Sequence, residues 1–310
     1  MIAFVFPGQG SQYVGMCKEL YGEFGAARKT FDEASGVLGF DMAELCFGGD
    51  PGELSLTANA QPAILTASTA ALRVLVAETG IKPDFVAGHS LGEYSALVAN
   101  GSMAFKDAVF VVRKRGEFMQ EAVPVGEGAM SAVLGLDIGA IEEICSMVSK
   151  DSMVASPANM NAPGQIVISG SKEAVMRASE EARSRGAKRV VPLDVSAPFH
   201  CMLMKPAAER LAEVLNGIEF TEMNVPIVTN CNASLNSDSS RTRELLVRQV
   251  TSPVRWYESV EALGREGVRT FIEIGPKNVL AGLIKRTLPD VSVSNFENTA
   301  QLESLKNGRI

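Results

Sequence analysis

Residues 85–101, FVAGHSLGEYSALVANG, decide the fold. The run Phe85-Val86-Ala87 reads as a buried strand. The Gly-x-Ser-x-Gly pentapeptide 88–92 reads as a sharp turn, and the residues after it as a helix stopped near Asn100-Gly101. Gly88 and Gly92 have no Cβ, so they permit the close approach and strained backbone of such a turn. Ser90 would then stand at a helix N-terminus, where the dipole and free N–H groups favour developing negative charge. That makes Ser90 a candidate nucleophile; a serine in an ordinary turn is the competing reading.

The same alternation extends on both sides. Upstream, IAFVFPGQGSQ (2–12) is a strand feeding a Gly-rich loop, and 61–79 is an apolar helix with Pro62 placed near its first turn. Downstream, 102–122 is another helix. Strand and helix in alternation predict an α/β fold with a largely parallel sheet. The middle of the chain changes character. A strand at 129–136, a helix at 138–148, two short strands within 153–170, a helix at 172–186 and a strand within 188–196 give β-α-β-β-α-β, the order of a ferredoxin-like unit. The glycines around 126–128 and Pro198 bound it, so the expected lobe is 127–197 and the expected core is 1–126 with 198–310. Beyond it come helices at 203–216, 242–250, 255–266 and 278–287, strands at 225–229 and 271–276, and a polar, frayed end of about ten residues.

Bulk properties narrow the function. The 310 residues are 46% hydrophobic and 21% charged, enough for one large core with a smaller lobe. A formal net charge of −7 argues against a general nucleic-acid binder. Five cysteines without a C-x-x-C pair read as reduced thiols in a cytoplasmic protein. Two histidines are too few for a His/Cys zinc cluster, so no metal is expected. No uninterrupted run of 18 apolar residues suggests a membrane span.

A nucleophilic serine needs a base. His89 is its neighbour, and adjacent side chains on a sharp turn point apart, so His89 is read as packed or hydrogen-bonded beneath the turn. By elimination among imidazoles, His200 in SAPFHC is the base. Cys201 beside it is excluded as a dyad partner by the same geometry. Arg115 falls on the apolar face of helix 102–122, in phase with Val111, Val112 and Met119. A buried guanidinium requires an anionic partner. That partner is either a ligand carboxylate or phosphate, or a buried Asp or Glu of the chain. The loop FPGQGSQ fails the dinucleotide fingerprint, because Tyr13 stands where the third glycine belongs. Its backbone N–H groups suit an oxyanion instead, with Gln9 the exposed donor.

With these residues assembled, the chain resembles the malonyl-CoA:acyl carrier protein transacylases of bacterial type II fatty-acid synthesis. Eight stretches carry the resemblance: FPGQGSQ (6–12), AQPAIL (60–65), AGHSLGEYSALVANG (87–101), RGEFMQEAVPVGEGAM (115–130), PANMNAPGQIVISG (157–170), APFHCMLMKPAA (197–208), VRQVTSPVRW (247–256) and EIGPKNVL (273–280). The family implies an α/β-hydrolase-like large subdomain with an inserted ferredoxin-like small one. It implies Ser90 as nucleophile, His200 as base and Arg115 as the grip on the malonate carboxylate. It also implies the backbone N–H groups of Gln9 and Leu91 as oxyanion hole, and the backbone carbonyl of Gln249 as the group orienting His200. Phe199, the residue that malonyl-selective relatives carry before the histidine, is a candidate for the acyl pocket. Asn161 is a further substrate-binding candidate.

The implied reaction is ping-pong: malonyl passes from malonyl-CoA to Ser90, then to the phosphopantetheine thiol of acyl carrier protein. The chain is expected to need no cofactor, since phosphopantetheine arrives on the partner. It is taken to act as a monomer in the cytoplasm, without nucleic acid or membrane. The carrier is acidic in this family, so a local basic surface is expected. Arg183, Arg185, Lys188 and Arg189, or Lys285 and Arg286, are the candidates, with ordinary solvated helix faces the competing reading for each. The alternative function is a serine hydrolase or thioesterase. Asp194 lies before His200 in the order such a triad would use.

Overall fold

The computed structural model describes residues 1–151, 153–195 and 197–308. Its strands are β1 (Ile2–Phe6), β2 (Phe85–Gly88), β3 (Gly128–Leu134), β4 (Ala155–Ala162), β5 (Gln165–Ser171), β6 (Arg189–Pro192), β7 (Ile227–Thr229), β8 (Ser234–Asn236), β9 (Thr270–Ile274) and β10 (Ser292–Phe296). Six of them form one sheet in the order β10-β9-β1-β2-β7-β8, parallel throughout except for the β7–β8 hairpin. The other four form a separate antiparallel sheet in the order β4-β5-β3-β6.

The first strands are apolar at every position because both faces of the large sheet are covered. Phe4, Phe6 and Val86 point into one core, whereas Ala3, Val5, Phe85 and Ala87 point into the other. β1 and β2 pair from Ala3–Phe85 to Phe6–Gly88, so the loops leaving their carboxyl ends lie side by side. From β1 the chain goes to β2 on one flank and later reaches β9 on the other. At such a switch of direction, the crevice outside the carboxyl ends of the strands is where open α/β sheets bind ligands.

Two local readings need correction. The helix expected from 61 begins at Thr57 and runs to Thr79, which puts Pro62 inside it rather than near its first turn. The proline has no N–H for the Ala58 carbonyl four residues back. Arg113 Nη1 supplies the missing donor to that oxygen at 3.0 Å, which explains how the helix continues through the proline. The frayed end is also overturned for most of its length: Thr299–Lys306 is a helix capped by the Asn298 side chain. Leu302 and Leu305 are buried, and Lys306 pairs with Glu78 at 3.0 Å. Two apolar residues at helical spacing in a polar stretch sufficed to dock it. Arg309 and Ile310 of that end, and Ser196 of the strand expected within 188–196, lie outside the described residues.

Helix Thr57–Thr79 is long and apolar enough to cross a bilayer by length and composition, but 83% of its most apolar 18-residue window is buried within the protein. It packs with Phe105–Glu121, the helix that carries Arg115. Helices Ile138–Val148 and Lys172–Ser184 cover the antiparallel sheet and enclose a third core of Val133, Ile144, Ile166, Ile168 and Val175 with their neighbours. β4 ties this sheet to the rest: Met160 N donates to Val254 O and Val254 N to Ala158 O, both at 2.8 Å. Register shifts interrupt β4 between Pro157 and Asn159 and between Met160 and Ala162. Bulges of this kind re-aim side chains, and Asn161 is the residue concerned.

Candidate active site

The turn after β2 is as tight as its glycines imply. A Cβ on Gly88 would fall 1.9 Å from the Gly92 carbonyl, and one on Gly92 would fall 2.1 Å from the Phe6 carbonyl. Ser90 between them has φ +52°, a left-handed conformation costly for a residue with a side chain. Helix Gly92–Ala99 follows. A Cβ on Gly8 would meet the His89 carbonyl at 2.3 Å, so the β1 loop lies directly on the β2 turn.

His200 reaches this turn from the loop after β6. Its Nε2 lies 2.7 Å from Ser90 Oγ and its Nδ1 lies 3.0 Å from the Gln249 carbonyl. A carbonyl only accepts, so Nδ1 carries the proton and Nε2 is the free base that accepts from the serine hydroxyl. The place opposite Nδ1 that a triad carboxylate would occupy is taken by this main-chain oxygen, and Asp194 is exposed. Burial, and next the charge of Arg115, lowers His200 from 6.5 to about 3. The imidazole is therefore neutral at neutral pH, as a base must be.

The sign of that shift has two readouts. A depressed value means that the fold favours the neutral ring, so His200 supports stability above 6.5 and this support is lost as pH falls toward about 3. Burial lowers His89 as well. The chain has only these two histidines. We expect neither ring to titrate near 6.5 in imidazole NMR spectra of the folded free protein. A His200 ring that titrates there would show that residue solvated. Arg115→Ala removes one cause of the shift and should move the His200 midpoint upward.

Arg115 is 2% exposed, and its three hydrogen bonds all go to uncharged partners. Nη1 donates to Gln61 Oε1 at 2.8 Å, and Nη2 donates to Ser90 Oγ at 3.0 Å and Gln249 Oε1 at 2.9 Å. The Tyr94 ring lies under the guanidinium at 5.6 Å. Among the described residues Arg115 makes no direct ion pair; the buried Glu93 acts on its charge from beyond the Gln249 side chain that both of them touch. A cation beside Ser90 with no carboxylate in direct contact is suited to a carboxylate on a ligand.

Of the other sequence candidates, the backbone N–H groups of Gln9 and Leu91 donate to no acceptor among the described residues. The Gln9 side chain turns away and donates to Thr57 Oγ1 at 3.1 Å. Phe199 is 9% exposed within the main core. Asn161 Oδ1 lies 2.8 Å from His89 Nε2, while the His89 ring tilts against Trp256 at 5.8 Å. Beneath the turn is thus where His89 belongs. Arg183, Lys188, Arg189, Lys285 and Arg286 are exposed, whereas Arg185 is engaged by Glu181 at 2.7 Å and Glu143 at 3.2 Å.

Gln61, Glu93, Asn230 and the side chain of Gln249 were missed in the sequence. Asn230 Oδ1 accepts from Ser90 N at 2.6 Å, and its Nδ2 donates to Gly88 O at 2.7 Å. Glu93 is 1% exposed, and burial raises its carboxyl to about 7 against the opposing effects of Gln249, Asn230 and Arg115. A carboxylate one position into the otherwise apolar helix 92–99 was the one available signal.

Comparison with known proteins gives a concordant result. The family model for the acyl transferase domain matches residues 3–308. A malonyl CoA-acyl carrier protein transacylase of Bacillus subtilis is 54% identical over 96% of this chain and 94% of its own. The crystal structure of an acyl carrier protein S-malonyltransferase from Vibrio cholerae superposes with a TM-score of 0.96 at 45% identity, covering 98% of this chain and 99% of that one. A malonyl-transacylase solved in complex with its type II PKS acyl-carrier protein superposes equally well at 47% identity, covering 99% of each chain.

Proposed function

The chain belongs to the acyl transferase family, among its malonyl-CoA:acyl carrier protein transacylases, and from that premise we propose how its residues divide the work of moving a malonyl group from malonyl-CoA to acyl carrier protein. One observation carries this reading: Ser90 Oγ stands between His200 Nε2 and Arg115 Nη2, a base on one side and an unpaired carboxylate grip on the other.

His200 Nε2 takes the Ser90 proton as Oγ attacks the thioester carbonyl. The oxyanion that forms is met by the N–H groups of Gln9 and Leu91, each contributing about 3 kcal/mol to the transition state. The carbon–sulfur bond breaks, and coenzyme A leaves as a thiol with the proton that His200 held. Arg115 turns its fork from Ser90 Oγ and Gln249 onto the malonate carboxylate and fixes the acyl group by two hydrogen bonds. The carrier's phosphopantetheine thiol then gives its proton to His200 and attacks the malonyl-serine; the ester C–O bond breaks and His200 returns the proton to Ser90 Oγ, which regenerates both residues. Phe199 borders the acyl pocket, and Asn161 acts on the site through His89. The cycle draws on no metal or cofactor bound to this chain.

The hydrolase alternative is not favoured, because a main-chain carbonyl rather than a carboxylate orients His200. A single-turnover reaction with labelled malonyl-CoA tests the choice. The expected result is a stable malonyl-enzyme that discharges when carrier thiol is added. Prompt release of free malonate would overturn the transferase reading.

The acidic carrier docks, on this reading, at Lys285 and Arg286 in the last turn of helix Val279–Thr287. These side chains are exposed, with Arg286 also donating to Gln165 Oε1; in the other cluster Arg183, Lys188 and Arg189 are exposed and Arg185 is engaged by two glutamates. Lys285→Glu with Arg286→Glu should raise the carrier KM in a salt-dependent way and leave acylation by malonyl-CoA intact. An unchanged KM would place docking elsewhere.

The antiparallel sheet, whose strands appear in the order second-third-first-fourth of their β-α-β-β-α-β unit, is the ferredoxin-like subdomain of 127–197 in this reading. Residues 1–126 and 198–310 make up an α/β-hydrolase-like core. Five buried free cysteines accord with a reducing cytoplasm, where the chain is taken to act as a monomer.

A further inference from the structure

The backbone of Ser90 is gripped from both ends. Asn230 holds its N–H, and the Gln249 side chain holds its carbonyl through Nε2 at 2.9 Å. Both clamps converge on Glu93, whose Oε2 accepts from Asn230 N at 3.0 Å and from Gln249 Nε2 at 2.8 Å. These residues come from three separate segments and are 1%, 0% and 0% exposed for Glu93, Asn230 and Gln249.

We propose that Glu93 is a positioning residue that sets the sense of the Gln249 side-chain amide, and through it the placement of Arg115 and of the Ser90–Leu91 peptide. The two ends of an amide are alike in shape and differ only in donating or accepting. Around Gln249, Arg115 only donates, while the Ser90 carbonyl and Glu93 Oε2, which also takes the Asn230 N–H, are acceptors. With the amide as it stands, all three contacts are satisfied. A flip would set Nε2 against a guanidinium and Oε1 against two oxygens. With the Glu93 acceptor gone, only the Ser90 carbonyl and Arg115 resist that flip. Two consequences follow from a wrong or mobile amide. Arg115 loses one of its resting anchors, and the carbonyl of the peptide that bears the Leu91 N–H loses its clamp. The first weakens selection of a carboxylate-bearing acyl group, and the second weakens oxyanion stabilisation. Glu93 does this without touching substrate, and its Oε1 makes no hydrogen bond with the described residues.

The inference rests on reading Arg115 as the malonate grip, and the experiment separates the two. Rates of acylation by malonyl-CoA and acetyl-CoA are measured for Glu93→Ala, Glu93→Asp, Glu93→Gln and, as a separate control, Arg115→Ala. Glu93→Ala removes the acceptor and Glu93→Asp withdraws it by one methylene. Both should lower the malonyl-over-acetyl preference about tenfold, the effect of losing one charge-assisted hydrogen bond. Glu93→Gln keeps an acceptor at the same point and should recover most of the preference. Folded Ala or Asp variants with wild-type preference would overturn the proposal, as would a Gln variant as damaged as the Ala one. Loss of the fold in both Ala and Asp variants would make Glu93 a fold determinant and overturn it equally. If Arg115→Ala leaves the preference unchanged, the malonate grip itself fails, independently of Glu93.

Discussion

Ser90→Ala is expected to abolish the malonyl-enzyme and to lower malonyl transfer by about four orders of magnitude or more, as removal of a nucleophile does elsewhere. The geometry offers no substitute. Cys201 is buried and its Sγ donates to the Pro198 carbonyl at 3.1 Å, while the imidazole of its neighbour His200 is the group that faces Ser90. Cys231 is buried too, and desolvation raises its thiol to about 11. Alanine keeps the backbone near φ +52° at little added strain, because Asn230 and Gln249 bind main-chain atoms of residue 90 rather than its hydroxyl. The variant should therefore fold and still bind malonyl-CoA. Intact-protein mass measured after mixing with malonyl-CoA checks the result, and a surviving adduct would remove Ser90 from its role.

Arg115→Ala should lower malonyl transfer by about two to three orders of magnitude, the usual cost of taking one partner from a buried charged pair. Acetyl transfer should fall less, by about tenfold, because the guanidinium also donates to Ser90 Oγ, and acetyl loses only that one hydrogen bond. The donor preference therefore collapses or inverts. Parallel acylation rates with the two thioesters test this, and equal losses on both would sink the carboxylate-binding role. Arg115→Lys is not a rescue. A single ammonium cannot keep its hold on Gln61 while presenting two parallel N–H donors to the oxygens of a carboxylate.

How much of this was legible beforehand depended on the kind of signal. Ser90 was readable because a tight strand-to-helix turn demands glycines at fixed offsets, and the contacts a Cβ would make at Gly88 and Gly92 show why. Arg115 was readable because helical phase is a local property, and the residue is 2% exposed as the phase required. Periodicity misled where tertiary contacts override local preference. Helix Thr57–Thr79 runs through Pro62 because Arg113, 55 residues away, serves the stranded Ala58 carbonyl. The end of the chain is helical because Leu302 and Leu305 find a core that a polar stretch does not announce.

The sequence by itself determined the α/β alternation, a serine on a tight strand-to-helix turn, the one histidine free to face it, and an inward cation. Each depends on backbone sterics, residue count or the period of one element. Only the tertiary structure decided what surrounds them. Gln61, Glu93, Asn230 and Gln249 are polar residues on four different segments, and nothing in their neighbours marks them as buried together. Hydrogen-bond partners between distant segments are set by strand order and helix packing. The clamp that holds Ser90 in its left-handed conformation, with a main-chain carbonyl where a triad would have its carboxylate, exists only once β2, β7 and helix Thr242–Thr251 have met.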